Sequence, residues 1–420
     1  MEQQWKVNDH VVGKWCSSAV LALLLCGLCA SATANTTDQQ PFVPGLGESA
    51  TRLPDLPLTP AAAGLLIPPA APAMTAPLRI GLLLPLRSEP FGRAAEAVRD
   101  GFMVAAQRDP ESASVTVFET GDAAQETLSG YAEAAATSDI VVGPLSRSEV
   151  TAIALSRAIS KPTLALAQPD LSVETEGALP RQLLVVALSI EDEARQVASW
   201  AAVGRKNTHA FVVATATAWQ RRAAKAFSQQ WKQMNGEAQN MELSGSAGYF
   251  SASSLAMLKK RLQTEKPALV FLAMDAAQAR QVRAALGNEV ALYGTSQLNG
   301  GVPQNRDIGE RANDMDGVRL LDMPWQIQLE HPAVMIYPRA EVATDQQRSP
   351  DLERLYGLGI DAYRIAREIG ARRTSFELDG VSGKLQIDFG DGAARFKRTL
   401  VPAIYQDGLV APLPALATSP

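Results

Sequence analysis

Two uninterrupted apolar runs stand out along this chain, and each ends at a Pro-Leu pair. Residues 79–86 read RIGLLLPL, and residues 139–145 read DIVVGPL. An apolar run without polar alternation is typical of a strand buried on both faces, as in a parallel sheet. Because proline lacks an N–H and fixes φ, it ends sheet pairing and turns the chain out. The pattern predicts parallel strands, with any ligand site just beyond their carboxyl ends.

From residue 78 onward, apolar runs alternate with segments of helical periodicity. The predicted strands of this first series are 79–86, 115–119, 140–145, 163–167 and 183–188, and the predicted helices are 94–108, 128–136 and 149–159. Repeated strand–helix–strand units of this size predict a parallel sheet that is covered on both faces.

A second series of the same kind follows. Residues 189–192, SIED, have the pattern of a capping box that opens a helix to about residue 202, and the acidic residues 191–193 are interpreted as partners of its N-terminus. The remaining predicted strands are 210–216, 268–274, 291–294 and 318–322, and the remaining predicted helices are 219–234, 253–263 and 276–286. The sequence therefore predicts two successive α/β lobes.

The last segments predict that the chain crosses back between the lobes. A helix at 350–369 precedes strand segments at 384–389 and 395–403, and the residues DFGDGA between these segments are a hairpin turn signal. We assign residues 78–187 plus about 326–395 to the first lobe, and 188–325 plus about 396–410 to the second.

The N-terminal 34 residues have the three-part layout of a secretory signal peptide. Lysines precede an apolar stretch at 19–28, and Ala-Thr-Ala follows at 32–34; an uncleaved anchor is the alternative. All three cysteines, Cys16, Cys26 and Cys29, lie in this region, so the cleaved chain would contain none. Residues 35–77 are rich in proline and alanine, which predicts a disordered linker.

Composition and the lack of recognisable motifs exclude several classes of function. The net charge is −5 and no concentrated basic patch is present, so we expect no nucleic-acid binding. His209 and His331 have no partner at metal-ligand spacing, and no nucleophile or phosphate-binding motif is recognisable. We therefore expect no metal, no cofactor and no catalysis.

Polar and aromatic residues follow several predicted strands, where they would line a cleft between facing lobes. Such groups can orient a small zwitterion or a glycan, although helix capping and turn formation are alternative roles. The candidates for the ligand cleft are Ser88, Ser146, Gln168, Trp219, Thr295, Ser296 and Asn299. Trp325 follows a strand at a proline break, where it is expected either to anchor the lobe junction or, as the candidate residue for a partner surface, to face a partner.

Several stretches resemble, in order and spacing, the penicillin-binding protein activator family of lipoproteins. They are 79–86, 98–102, 141–145, 163–166, 293–299, 316–318, 322–325, 357–363 and 380–385. The resemblance implies a two-lobed type I periplasmic-binding-protein-like fold, in which each lobe is a mostly parallel sheet flanked by helices. It also implies a non-catalytic cell-envelope protein that contacts a bifunctional peptidoglycan synthase, a class A penicillin-binding protein, and stimulates peptidoglycan synthesis.

The alternative function is a periplasmic solute-binding receptor of the ABC-transporter type for an amino acid or related small ligand. Such receptors offer a fixed charge to each charged end of the ligand, whereas these candidate loops are mostly neutral. The expected location is the periplasm, with an outer-membrane tether if Cys26 or Cys29 is lipidated. Neither cysteine has a good lipidation signal before it.

Overall fold

The computed structural model describes residues 77–171, 179–206, 208–301, 313–339, 349–390 and 392–414. They lie within one compact unit, Pro72–Pro420. The predicted signal peptide lies outside the described residues, as does the predicted linker apart from Pro77. None of the described helices is long and apolar enough to cross a membrane.

The described chain alternates strands and helices over most of its length. The strands are β1 (Leu78–Leu84), β2 (Ala113–Glu119), β3 (Ile140–Val142), β4 (Thr163–Ala165), β5 (Leu183–Val185), β6 (His209–Ala214), β7 (Glu237–Glu242), β8 (Gly245–Ser246), β9 (Tyr249–Phe250), β10 (Leu269–Leu272), β11 (Leu292–Gly294), β12 (Arg319–Asp322), β13 (Ser375–Gly380), β14 (Gly383–Asp388), β15 (Arg395–Thr399), β16 (Val401–Gln406) and β17 (Leu409–Pro412). The helices are α1 (Gly92–Gln107), α2 (Ala124–Thr137), α3 (Arg147–Leu155), α4 (Ile190–Ala202), α5 (Ala218–Gln233), α6 (Ala252–Glu265), α7 (Ala276–Leu286), α8 (Pro324–Ile327), α9 (Pro332–Met335) and α10 (Pro350–Gly370).

The first lobe is built on a parallel sheet of five strands in the order β2-β1-β3-β4-β5. Alternate side chains of β1 enter two different hydrophobic clusters. Leu82 packs in the cluster that contains Phe102 of α1, and Leu83 packs in the cluster that contains Tyr131 of α2. Helices therefore cover both faces of the sheet, which confirms the prediction from the apolar runs.

Helix α10 packs on α1 although about 250 residues separate them. A Cβ atom on Gly101 would lie 2.0 Å from the carbonyl oxygen of Tyr356, and one on Gly359 would lie 2.1 Å from that of Val98. Only glycine permits backbones to approach so closely. This crossing gives a physical reason for the VRDGF and GLGIDAY stretches of the sequence, and it fixes α10 to the first lobe.

The second lobe is built on a sheet of seven strands in the order β17-β16-β12-β11-β10-β6-β7. Strands β6, β7, β10, β11 and β12 pair in parallel, whereas β16 and β17 add an antiparallel edge. Helices α4 and α5 lie on one face, where Val197 and Phe227 are buried, and α7 lies on the other, where Val282 is buried. The two predicted α/β lobes are both present.

The chain passes between the sheets three times, after β5, after β12 and at Leu400. The hairpin predicted at DFGDGA is confirmed, because β14 and β15 pair antiparallel across it. The single strand predicted at 395–403 is wrong: β15 belongs to a three-stranded sheet with β13 and β14, and β16 belongs to the seven-stranded sheet. The chain therefore leaves the three-stranded sheet for the seven-stranded sheet at Leu400.

Candidate functional site

Ser88 and Ser146, the candidates from the first lobe, are buried and bonded within the chain. The Ser88 hydroxyl donates to Asp122 and accepts from the Phe91 amide at 3.1 Å. Ser146 forms a capping box at the start of α3, in which its hydroxyl accepts from the Glu149 amide at 3.3 Å. These bonds are the loop-fixing and helix-capping roles that were the alternative for both residues.

Gln168 and Trp219 lie in separate places. Gln168 is partly exposed and lines a cavity of about 690 Å³ between β5 and the three-stranded sheet, together with Phe376 and Gln386. Trp219 is partly exposed as the second residue of α5. The structure therefore does not bring these two candidates together.

Ser296 and Asn299 do meet, and the residue that joins them is Arg354 of α10. Its Nη2 atom donates to the Ser296 carbonyl at 2.8 Å and to the Asn299 carbonyl at 3.2 Å. The same guanidinium donates to Asp322 from Nε at 3.2 Å and from Nη2 at 3.0 Å, and to Asp351 from Nη1 at 2.9 Å. We call Ser296, Asn299, Asp322, Arg354 and Glu193 the junction cluster.

Glu193 connects the junction cluster to α4. The Ser296 amide donates to Glu193 Oε2 at 2.9 Å, across 103 positions of sequence. Burial raises the pKa of the Glu193 carboxyl to about 7, against the opposing influence of the Ser296 bonds and of Arg354. Its acidic neighbours in the sequence pair elsewhere: Glu191 with Arg222 at 2.8 Å, and Asp192 with Arg195. Attraction to the helix N-terminus is therefore only part of the role of this acidic trio.

The charges of the junction cluster are arranged for mutual compensation. Asp322 is fully buried, and it also accepts from Asn299 Nδ2 at 2.8 Å and from the Met323 amide at 2.8 Å. Burial by itself would lower the pKa of Arg354, but Asp322 and Asp351 raise it above its ordinary value. Thr295, the remaining candidate, is fully buried, and its hydroxyl oxygen has no hydrogen-bond partner among the described residues.

Trp325 does not form a partner surface, because its ring is fully buried. The indole Nε1–H donates to Glu353 Oε2 at 2.9 Å, and the Arg339 guanidinium lies 3.9 Å from the ring centroid. The Trp325 amide donates to the Val381 carbonyl at 2.9 Å, which ties the second crossing to the turn between β13 and β14. Trp325 therefore occupies the lobe junction, the first of its two expected places.

Arg398 ties the first and third crossings together. Its Nη1 and Nη2 atoms donate to the carbonyls of Ala187 and Val186 at 2.6 and 3.1 Å, and its Nε atom donates to the Ser382 hydroxyl at 3.1 Å. That hydroxyl in turn donates to the buried carboxylate of Asp361 at 2.7 Å. Buried and partly buried polar contacts thus link the three crossings.

Sequence reasoning missed the charged members of these networks. Arg354 and Arg398 lie inside a helix and a strand, where a basic residue normally marks a solvated face. Asp322 stood within the DMPW stretch, but nothing in that stretch showed that its carboxylate would be buried. Among the described residues, no group of three or more histidine, cysteine, aspartate or glutamate side chains is placed to hold a metal ion.

Comparison with known proteins agrees with this architecture. A family model described as "LppC putative lipoprotein" matches residues 70–408. The penicillin-binding protein activator LpoA of Vibrio cholerae serotype O1 is 26% identical over 357 residues, 74% of this chain and 55% of the relative. The LpoA of Photobacterium profundum is 25% identical over 343 residues, 74% of this chain and 53% of the relative. The chain thus spans about half the length of the curated relatives it matches.

Solved structures show the same two-lobed fold. A Chromobacterium violaceum protein described as a "putative branched-chain amino acid ABC transporter" is 35% identical, with a TM-score of 0.62 over 78% of this chain and 100% of that one. The LpoA C-domain of Haemophilus influenzae, described as a regulator of PBP1A, is 24% identical, with a TM-score of 0.62 over 80% of this chain and 99% of that one. The type I periplasmic-binding-protein-like fold and the family resemblance expected from sequence are both confirmed.

Proposed function

The chain belongs to the LppC lipoprotein family, and from that membership we propose that it activates a class A penicillin-binding protein by direct contact. In this role it stimulates a bifunctional peptidoglycan synthase and catalyses no reaction itself. The observation that carries the proposal is the family match across residues 70–408, and the similarity to relatives named penicillin-binding protein activators supports it. The shared part is the two-lobed unit, so this unit is the part proposed to act on the synthase.

The state of the polar groups between the lobes supports an activator over a solute receptor. A receptor for an amino acid needs charged groups that are free to meet each end of the ligand. Arg354 is the buried cation nearest to the candidate residues Ser296 and Asn299, and each of its nitrogens already donates within the chain. A ligand would have to displace buried bonds that are individually costly to lose.

The surface best suited to partner docking is formed by the segment that comes directly after Trp325 in the sequence. Leu329, Met335 and Ile336 are exposed by 66%, 68% and 44%, and no other stretch of ten described residues exposes three large apolar side chains. A hydrogen bond fixes the backbone of this segment to the first lobe, because Arg108 Nη1 donates to the Ile336 carbonyl at 2.7 Å. A cluster of exposed apolar side chains on an ordered backbone buries apolar area on binding without first having to order the chain, which favours its use as an interface.

A glycan-polymerisation assay with a purified class A synthase tests the proposal. The unmodified chain is expected to bind the synthase in a pull-down and to raise its polymerisation rate. Met335→Glu is expected to weaken both effects, whereas Met257→Glu, on α6 with 63% exposure, serves as the matched control. No binding and no rate change with the unmodified chain would refute the activator role. Equal behaviour of the two variants would refute only the docking surface.

We further propose that the protein works in the periplasm, tethered to the outer membrane by a lipid on Cys26 or Cys29. The description of the family as lipoproteins supports the tether. Mass spectrometry of the mature N-terminus tests it. A diacylated cysteine at the N-terminus would support the tether, and an unmodified N-terminus at Asn35 would contradict it.

A further inference from the structure

A small polar pocket lies on the second lobe, beyond the carboxyl ends of β6 and β7. Its volume is about 350 Å³, near the lower end of the roughly 300–1,000 Å³ that small-molecule pockets occupy. All of its described lining residues belong to the second lobe: they come from the segment after β6, the end of β7, the β8–β9 hairpin and Gln278 of α7. We call it the hairpin pocket, and its walls are complete without the first lobe.

The β8–β9 hairpin holds an aromatic side chain at this pocket. Its two central residues have φ values of 50° and 83°, and positive φ at both positions is what a type I′ hairpin turn requires. Ser246 pairs with Tyr249, so their side chains share one face of the hairpin. Gln281 of α7 fixes the hairpin, because it accepts from the Phe250 amide at 2.9 Å and donates to the Gly248 carbonyl at 2.8 Å. Tyr249 lines the pocket and is nonetheless 73% exposed.

Hydroxyl groups supply much of the polar lining, and they keep hydrogen-bonding capacity. The Thr215 hydroxyl donates to Thr217 Oγ1 at 2.9 Å and accepts from the Thr217 amide at 3.2 Å, so the Thr217 hydroxyl keeps its own proton to donate. Thr217 is exposed, and although it stands at the N-cap of α5 its side chain makes no capping bond. Ser246 is also exposed. The hairpin pocket therefore presents neutral donors and acceptors to a ligand.

The hairpin pocket offers no unbalanced charge to an ionic ligand. Among its described lining residues Glu242 has the only charged side chain. Arg221 neutralises it, because its Nε and Nη2 atoms donate to Glu242 Oε2 at 3.1 and 2.9 Å. The paired carboxylate still has lone pairs that can accept from a ligand hydroxyl. A neutral molecule with many hydroxyl groups and one apolar face matches this lining, whereas a charged ligand would lack a free counter-charge.

We propose that the hairpin pocket binds a neutral glycan. Sugar hydroxyl groups exchange hydrogen bonds with Thr217, Ser246 and Glu242, and the apolar C–H face of a sugar ring stacks on Tyr249. A tyrosine ring has an apolar face and a polar tip, so this contact buries apolar area while the hydroxyl groups around it stay hydrogen-bonded. The site lies on one lobe, so binding there requires no closure of the two lobes around the ligand.

Isothermal titration of the full chain tests the site with two neutral tetrasaccharides, the β-1,4-linked tetramer of N-acetylglucosamine and maltotetraose. We expect saturable binding of at least one of them at one site per chain. Tyr249→Ala is expected to weaken that binding by about tenfold, because the stacking contact and its apolar area are lost. Phe91→Ala is the matched control, because Phe91 is an aromatic residue of the first lobe with 41% exposure and does not line the pocket.

Two further variants separate the ring from the hydroxyl groups. Tyr249→Phe keeps the stacking face and is expected to bind nearly as well as the unmodified chain, whereas Thr217→Val keeps the shape but loses a donor and is expected to bind about threefold more weakly. Tighter binding of the N-acetylglucosamine tetramer would identify an N-acetylated glycan as the ligand, and tighter binding of maltotetraose would identify a plain glucan. Absence of saturable binding of both tetrasaccharides, or binding that Tyr249→Ala leaves unchanged, would overturn the proposal. The titration contains no synthase, so its failure would leave the activator role untouched.

Discussion

Replacing Arg354 with methionine would remove the cation that neutralises the buried carboxylate of Asp322. The two side chains share bonds of 3.2 and 3.0 Å, and Asp322 has no exposed area. The change would also take the donor away from the carbonyls of Ser296 and Asn299. Removing one partner of a buried ion pair costs roughly 3–5 kcal/mol, because the other charge stays buried without compensation.

That loss converts to a measurable change in melting temperature. Unfolding entropy of about 2.1 cal/mol/K per residue gives about 0.7 kcal/mol/K for a folded unit of roughly 340 residues. A loss of 3–5 kcal/mol therefore corresponds to a fall of about 4–7 °C. Thermal unfolding followed by circular dichroism measures this fall, and urea unfolding measures the free energy directly.

Two further variants decide whether the broken pair of Arg354 with Asp322 causes the loss of stability. Arg99→Met removes an exposed pair with Asp100 at 3.0 Å, and it is expected to cost less than about 1 kcal/mol. Adding Asp322→Asn to Arg354→Met removes the stranded charge and is expected to restore about 1 kcal/mol or more. The reasoning is refuted if Arg354→Met is no more destabilising than Arg99→Met.

Three other predictions concern the same region. Trp325→Phe keeps an aromatic ring but removes the 2.9 Å bond to Glu353, so urea unfolding should show a loss of about 1–3 kcal/mol, and an unchanged midpoint would contradict this. The pKa of Glu193, raised from 4.5 to about 7, means that the folded state keeps a proton that the unfolded state loses, so stability should fall as pH rises through this window. Glu193→Gln should remove about 1–3 kcal/mol of that fall between pH 5 and pH 8, and parallel pH profiles would contradict the assignment. Gly359→Ala should cost about 3 kcal/mol by forcing α1 and α10 apart, whereas Gly392→Ala, where a Cβ meets nothing within 4 Å, should be nearly neutral.

Expectations drawn from short stretches of sequence agree best with the structure. The strand at 79–86, the hairpin at 388–393 and the helix at 350–369 depend on apolar periodicity, glycine and proline, which act within a few residues. Strands β7, β13 and β17 were not predicted. Strands β7 and β13 are rich in polar residues, and β17 is a short edge strand, so their pairing comes from the neighbouring strands rather than from their own pattern.

The candidate site shows where local reasoning ends. The local sequence around a polar residue just past a strand does not show whether its side chain caps a helix, faces a ligand or bonds a distant charged group. Ser146 proved to be a cap, and Ser296 proved to bond Glu193 and Arg354, which lie 103 and 58 positions away. The flanking proline of Trp325 left two places open in the sequence, the lobe junction and a partner surface, and only the packing of its ring against Tyr356 of α10 decides for the junction.

The sequence by itself determined two α/β lobes, their order along the chain and the family resemblance. Periodicity, turn residues and motif spacing depend only on residues that are close together in the sequence. Only the tertiary structure decided which charges meet at the junction. Arg354, Asp322, Glu193 and Arg398 come from four separate elements, and the three crossings and the glycine contact of α1 with α10 bring those elements together. Burial then shifts the pKa values of these side chains and sets how much free energy of unfolding is lost when one of them is removed. Burial is a property of the assembled fold.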